Sequence, residues 1–338
     1  MTITRRALMR NAAMAGAVCA FGRSAFAADT IRWDMADEYN ADALSGKAAN
    51  YFISELKKQV GDQLAITYQG GGALGYKSAD QFDAVQDGAV QTAVTLMTQL
   101  GGVDPLFNLS SLPFIAKTPE EAYQLWQAAR PEYEKIFADN NMVLLWAMPN
   151  PPSGIFAKQP IISQDALNGL RIRTYDVNGT QTLMKAGAAP LQIAWSDLIP
   201  QLSTGAIDAV LTSADGGVQL SLWDYLSDFT ELNYAMGLFM CHVNKDAFDA
   251  LPQDVQSAML GLGDACDKYN WQIMTDSIEA SYKILRDNGM TVTKAADVPD
   301  SVFATLNAAG AAVRDDWVAK TGSRGSDILA TFDTMKAG

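Results

Sequence analysis

Apolar and polar positions along the chain follow two rhythms in alternation, short β-branched or apolar runs and longer stretches with a 3.6-residue period. Thr30 to Met35 reads as a strand, Ser45 to Val60 as an amphipathic helix and Gln63 to Gln69 as a second strand. A glycine-rich turn, Gly70 to Gly75, leads to a helix from about Ser78 to Asp87 and a strand over Val90 to Thr95. Helix Pro119 to Asn140 and strand Met142 to Met148 follow. Such alternation is what a parallel α/β sheet requires. Asn150-Pro151-Pro152-Ser153 then interrupts it, because proline cannot continue a helix and stiffens the link. We read it as a hinge-side connection into a second α/β unit.

The second unit echoes the first. Gly88-Ala89-Val90-Gln91-Thr92-Ala93-Val94 and Gly205-Ala206-Ile207-Asp208-Ala209-Val210-Leu211 each place a glycine suited to ending a helix before a run suited to a buried parallel strand. Thr95 and Thr212 then fall at the carboxyl ends of their strands, where open α/β sheets bind ligands, so two lobes would face each other across a cleft. After Leu251-Pro252, the residues Val255, Met259, Leu262, Cys266, Tyr269 and Ile273 recur at helical spacing, and the pattern extends to Leu285 before Asn288-Gly289. One helix of that length reaches roughly 50 Å and would run along both lobes. Two shorter helices with a break near Gly261 to Gly263 are the alternative.

The N-terminus changes the picture from fold to location. Thr4-Arg5-Arg6-Ala7-Leu8-Met9-Arg10 precedes an apolar stretch around Ala12 to Phe21 and then Ser24-Ala25-Phe26-Ala27, a twin-arginine-type signal peptide over residues 1–27 with the mature chain starting at Ala28. The apolar run is shorter than the ~20 residues an uncleaved anchor needs. Cys19 follows Val18 rather than a small residue, which argues against lipid modification. We therefore expect a soluble periplasmic protein.

Charge and rare residues narrow the chemistry. The first 27 residues hold four arginines and no acid, so the remainder has 21 basic and 38 acidic residues and a net charge of −17. That balance speaks against nucleic acid or anionic membranes as partners. Of the cysteines, Cys241 and Cys266 survive processing; a disulfide and two buried thiols both remain open. His242, the one histidine, sits in the strand-like run Leu238 to Val243 and reads as structural; a zinc site of several His and Cys ligands cannot be assembled, and no metal or cofactor is expected.

The most informative stretch runs from Pro152 to Asp215. Leu170-Arg171-Ile172-Arg173 puts two guanidinium groups on one face of a strand, and a guanidinium at a buried strand end is costly unless an anion meets its fork of donors. Together with Leu74-Gly75, Leu112-Pro113-Phe114, Leu167-Asn168-Gly169, Trp195 and Gly205-Ala206-Ile207-Asp208, it resembles the periplasmic solute-binding proteins of TRAP transporters, over Thr30 to about Trp317.

The resemblance implies an α/β, two-lobed periplasmic-binding-protein architecture with a hinge and a long helix running across both lobes. Residues 28–150 plus about 238–275 would form one lobe, and 151–237 plus about 276–338 the other. It also implies a non-enzymatic receptor that closes over an organic acid and delivers it to a membrane TRAP permease; a monomer is favoured. By the same resemblance Arg173 pairs with the ligand carboxylate, and Trp195 packs on the ligand. Thr212 stands where many relatives place an asparagine, Ser153 where sialic-acid-binding relatives have a second arginine, and Ala36 and Leu96 where those relatives are polar or acidic. Fewer polar groups favour a monocarboxylate with an apolar or aromatic body over a sugar acid or short dicarboxylate. Tyr39, Thr98 and Asp215, with Tyr76 and Lys77, are further candidates for polar contacts.

Each assignment has a plainer counterpart. Arg173 would instead pair with a structural carboxylate such as Asp176, and Trp195 would be core. Gly70-Gly71-Gly72-Ala73-Leu74-Gly75 fits G-x-G-x-x-G between strand and helix, the alternative being an exported cofactor-binding oxidoreductase, although no acidic residue ends the following strand at the expected spacing.

Overall fold

The computed structural model describes residues 30–337, so the expected signal peptide lies outside the described residues. Eleven strands among them form two sheets: Ile31–Asp37 (β1), Leu64–Gln69 (β2), Thr92–Leu96 (β3), Met142–Pro149 (β4), Ser153–Ala157 (β5), Arg171–Thr174 (β6), Ala189–Gln192 (β7), Ala209–Ser213 (β8), Asp228–Thr230 (β9), Leu238–Asn244 (β10) and Thr291–Thr293 (β11). The first sheet runs β2-β1-β3-β10-β4 and the second β11-β9-β5-β8-β6-β7. In each sheet three parallel strands come from successive βαβ units, while β10 and β5 join antiparallel, giving two lobes of mixed α/β structure.

The helices follow from the pattern that predicts them. Leu44–Val60 buries Leu44, Ala48, Phe52, Leu56 and Val60 on one stripe and stops at Gly61, whose φ of 61° an L side chain rarely adopts. Pro119–Asp139 starts with Thr118 accepting from the Glu121 N–H and proline in the first turn.

Two extended linkers cross between the lobes side by side. The Asn150 N–H donates to the Gly237 carbonyl at 2.8 Å, and the Ser153 N–H to the Ala235 carbonyl at 3.0 Å. The Tyr234 N–H returns a bond to the Ser153 carbonyl at 2.9 Å, and prolines at 151 and 152 remove two donors between these contacts, which loosens the pairing at a bending joint.

The third crossing is helical. It comprises Gln253–Gly261 and the 25-residue helix Gly263–Asp287, with the joint at Leu262. The joint keeps the ladder, since Leu262 N–H reaches the Ala258 carbonyl and Cys266 N–H the Leu262 carbonyl. A glycine is required at 263 because a Cβ there would lie 2.7 Å from the Leu145 carbonyl on β4. Near its start Asp267 accepts from Trp126 Nε1 and the Ala147 N–H of the first lobe. Near its end Tyr282 donates to Glu231 of the second, so the helix spans both.

The C-terminal segment departs from the expected division. Asp300–Thr321 buries Val302 and Leu306 in the second lobe, but the last helix, Ser323–Ala337, returns to the first. There Ile328 and Phe332 join the main core, and Arg324 bridges Asp104 and Glu132. Its apolar stripe decides the placement, which sequence order alone does not convey. Cys241 and Cys266 are unpaired buried thiols, and burial pushes the Cys266 thiol up to about 12. His242 is fully buried against Thr95 and Met142, and burial lowers its pKa to about 3. No helix among the described residues is long and apolar enough to cross a membrane.

Candidate functional site

A cavity lies between the two sheets, and its walls are built from strand ends. Arg173, Thr212 and Ser213 come from β6 and β8, Ser153 from the start of β5, and Leu96 and Phe239 from β3 and β10. Tyr39, Tyr175, Trp195 and Asp215 complete the chemically distinctive lining. Arg173, Trp195, Thr212, Ser153, Tyr39 and Asp215 are thus brought together around one space.

Thr98 is placed elsewhere. It follows β3 in a short turn and lines a different cleft, with Asn108, Asn178 and Trp317. Its carbonyl accepts from Asn108 Nδ2 at 2.7 Å, which anchors the turn with its side chain off the main cavity.

Arg173 is the centre of the site. Its side chain is 1% exposed, so desolvation pushes the guanidinium pKa down. Its protein partners are neutral carbonyls: Nε donates to Ile193 at 2.9 Å and Nη1 to Leu211 at 3.4 Å. Nη2 is buried without any partner. The guanidinium carbon sits 5.8 Å from the Trp195 ring centre and 6.0 Å from that of Tyr175, so π faces line the cation without neutralising it. Asp176, the structural partner considered above, is turned to another task, accepting from the Gly179 N–H at 2.8 Å to cap the helix Val177–Lys185. Burial pushes its carboxyl up to about 6. Among the described residues Arg173 has no salt bridge, and a buried cation with a free donor demands an anion.

The other walls supply shape and hydrogen bonds. Tyr39 and Trp195 stack on each other at the cavity wall with ring centres 4.9 Å apart, one ring from each lobe. Phe239 meets the Tyr39 ring edge-on at 4.9 Å. Gly216 keeps the floor open: a Cβ there would come within 2.6 Å of Thr212 Oγ1 and 3.2 Å of the Trp195 ring. Ser153 Oγ lies 3.4 Å from the Tyr175 hydroxyl. Asp215 stands in the first turn of Ala214–Gln219, and burial pushes its carboxyl up to about 6 despite the pull of Lys47.

Three features were missed from sequence. Tyr175 shares the face of Arg171 and Arg173 by strand alternation, a signal that was available. Ser45 and Asn150 also line the cavity, but nothing in their neighbourhood marks them. Arg171 is half exposed and pairs with Asp208 at 2.7 Å, so the acidic residue of the Gly-x-x-Asp turn serves the outer arginine. The glycine loop is committed to the fold: Gly71 and Gly72 N–H groups donate to the Tyr39 and Asp37 carbonyls, and Glu38 meets the N-terminus of the next helix. A pyrophosphate would have to displace both.

Comparison with known proteins agrees with this architecture. The model of the DctP family, bacterial extracellular solute-binding protein, family 7, matches residues 35–308. The structure of DctP7, a Bordetella pertussis extracytoplasmic solute receptor binding pyroglutamic acid, superposes with a TM-score of 0.86 at 31% identity, covering 89% of this chain and 99% of that one. A marine metagenome TRAP solute-binding protein specific for pyroglutamate gives 0.86 at 26% identity, covering 90% and 99%. The C4-dicarboxylate-binding periplasmic protein DctP of Rhodobacter capsulatus is 25% identical over 256 residues, 74% of this chain and 76% of that protein. The chain therefore belongs to the family 7 extracellular solute-binding proteins, the substrate receptors of TRAP transporters.

Proposed function

We propose that this receptor binds a small monocarboxylate with a flat ring bearing an N–H donor, pyroglutamate being the simplest example, and delivers it to a TRAP permease after export through the twin-arginine route. The observation that carries the reading is Arg173, a buried guanidinium whose Nη2 has no partner. A carboxylate supplies paired acceptors to that fork, and a lower dielectric in the closed cleft strengthens the pair. The Tyr39–Trp195 stack gives the cavity an aromatic wall for a planar ring to pack against. The Thr212 hydroxyl gives one further donor to the carboxylate. Asp215 is the lining acid suited to accept from a ring N–H. The similarity to two receptors of pyroglutamate supports the same class.

Thermal shift of the chain from Ala28 onward tests it, with pyroglutamate beside cyclopentanecarboxylate, benzoate, succinate and glucuronate. A ligand at ~1,000 times its Kd adds about 4 kcal/mol. Pyroglutamate is expected to raise Tm most, and cyclopentanecarboxylate, which lacks the N–H, less. A response to succinate or glucuronate above that to pyroglutamate would sink the ring reading and keep the acid receptor.

A further inference from the structure

Three consecutive residues of the second lobe, Trp195, Ser196 and Asp197, each meet a residue of the first. Trp195 stacks on Tyr39, Ser196 meets Glu38, and Asp197 meets Lys77 Nζ at 2.6 Å. Glu38 stands out because it is 3% exposed and has no cation bonded to it among the described residues. One oxygen accepts from the Ser78 N–H at 2.9 Å and Ser78 Oγ at 2.8 Å. The other accepts from the Ser196 N–H at 3.2 Å and Ser196 Oγ at 3.1 Å.

Ser78 begins the helix Ser78–Gln86, and Ser196 lies in the short turn Trp195–Asp197 that leads into Leu198–Ser203. One carboxylate therefore joins unpaired N–H groups at the starts of two helical segments, one in each lobe, where a negative charge is favoured. The first-lobe half of this arrangement does not depend on the second. The two Ser78 bonds lie within the first lobe and the two Ser196 bonds cross between the lobes, so separating the lobes would break the Ser196 pair and spare the Ser78 pair.

We propose that Glu38 is the positioning residue that latches the lobes shut, holding Trp195 over Tyr39 and slowing release of the bound acid. The Lys77–Asp197 pair, with side chains 44% and 51% exposed, adds a weaker outer contact. This inference rests on the receptor reading above, but its test does not depend on the ring ligand.

Stopped-flow tryptophan fluorescence with pyroglutamate as probe separates association from release. Charge-assisted bonds of this kind predict dissociation about tenfold faster in Glu38→Gln and a smaller rise in Ser196→Ala, with association near wild type. The double variant should release no faster than Glu38→Gln, since both remove the same contact. A general loss of packing would lower Tm and leave that coupling absent. Wild-type release from both single variants overturns the latch. Ser196 is at the surface, so its variant keeps the test alive if Glu38 substitutions fold poorly. Should wild type ignore pyroglutamate, the ring ligand fails, and the same release measurement with the panel acid that raises Tm most decides the latch. Faster release from Glu38→Gln and Ser196→Ala supports it, and wild-type release from both overturns it.

Discussion

The two lobes repeat one strand plan with different chemistry at equivalent positions. The first orders β2-β1-β3-β10 and the second β7-β6-β8-β5, in each case three parallel strands and an antiparallel neighbour. Gly88 and Gly205 precede β3 and β8 with φ of 73° and 70°. Ala36 pairs with Ala93, and Arg173 with Val210, so Ala36 occupies in the first lobe the position of Arg173 in the second. The threonines two residues further on diverge as well. Thr95 Oγ1 bonds to the Gln81 side chain and His242 Nε2 at 2.8 and 2.9 Å, whereas Thr212 faces the cavity. The lesson is a division of labour: the second lobe holds the cavity's buried guanidinium, and the first offers a ring, hydroxyls and apolar surface beside it. Concentrating the unpaired cation on one side lets the ligand supply its counter-charge before closure removes water.

The largest expected effect breaks the second lobe's share. Arg173→Ala should weaken acid binding about 100-fold or more, since it removes two charge-assisted bonds to the carboxylate. Circular dichroism should show the fold retained, and calorimetry should show the loss. Binding within threefold of wild type would move the carboxylate elsewhere.

A second test sharpens the claim that the second lobe also reads the N–H. Burial pushes the Asp215 carboxyl from 3.8 up to about 6, against the pull of Lys47 and with a smaller push from Asp42. The ionised carboxylate is the stronger acceptor for a ring N–H, so pyroglutamate affinity should weaken as pH drops through about 6. Asp215→Asn should flatten that dependence. The stability sign is the opposite. Because the folded state holds the proton more tightly, the Asp215 contribution is present below 3.8 and lost as pH rises through about 6. Asp215→Asn should therefore raise the Tm of the free protein at pH near neutral.

The threonine pair tests the comparison itself. Thr212→Val should cost about tenfold in affinity by removing one donor to a carboxylate, with little change in Tm. Thr95→Val should do the reverse, leaving His242 Nε2 buried and unpaired at a cost of about 1–3 kcal/mol while Kd stays put. Equal effects of the two substitutions on binding would mean that the first lobe's threonine also reaches the ligand.

Much of this division was legible beforehand, for identifiable reasons. Strand and helix periods predicted every strand of the first sheet, whereas in the second they marked β6 and β8 and left out β5, β7, β9 and β11, which are too short to show a period; the Gly88 and Gly205 echo marks the topology the two sheets share. The joint at Leu262 was one of two readings that periodicity could not separate, since an α-helical residue with its ladder intact leaves no break in the apolar stripe. Thr98 was misplaced because a turn after β3 redirects it by a geometry that strand alternation does not encode. Glu38 carried no sequence signal, because its partners Ser78 and Ser196 are 40 and 158 residues away.

The smallest expected effect separates the twin arginines. Arg171 and Arg173 share a strand face, yet two residues along a strand amount to about 6.6 Å, enough to move from the cleft to the sheet's solvent edge. The Arg171 side chain is 50% exposed and its partner Asp208 34% exposed, so water screens the pair. Such exposed pairs contribute little to stability, and Arg171→Ala should lower Tm by little, by still less in high salt, with Kd within a factor of about two. Asp208→Ala should match it, and the double variant should be no worse than either. An Arg171→Ala variant that lost the acid as Arg173→Ala does would put both guanidinium groups on the ligand. The second lobe would then hold a dicarboxylate site, and the contrast with the first would be one of two charges rather than one.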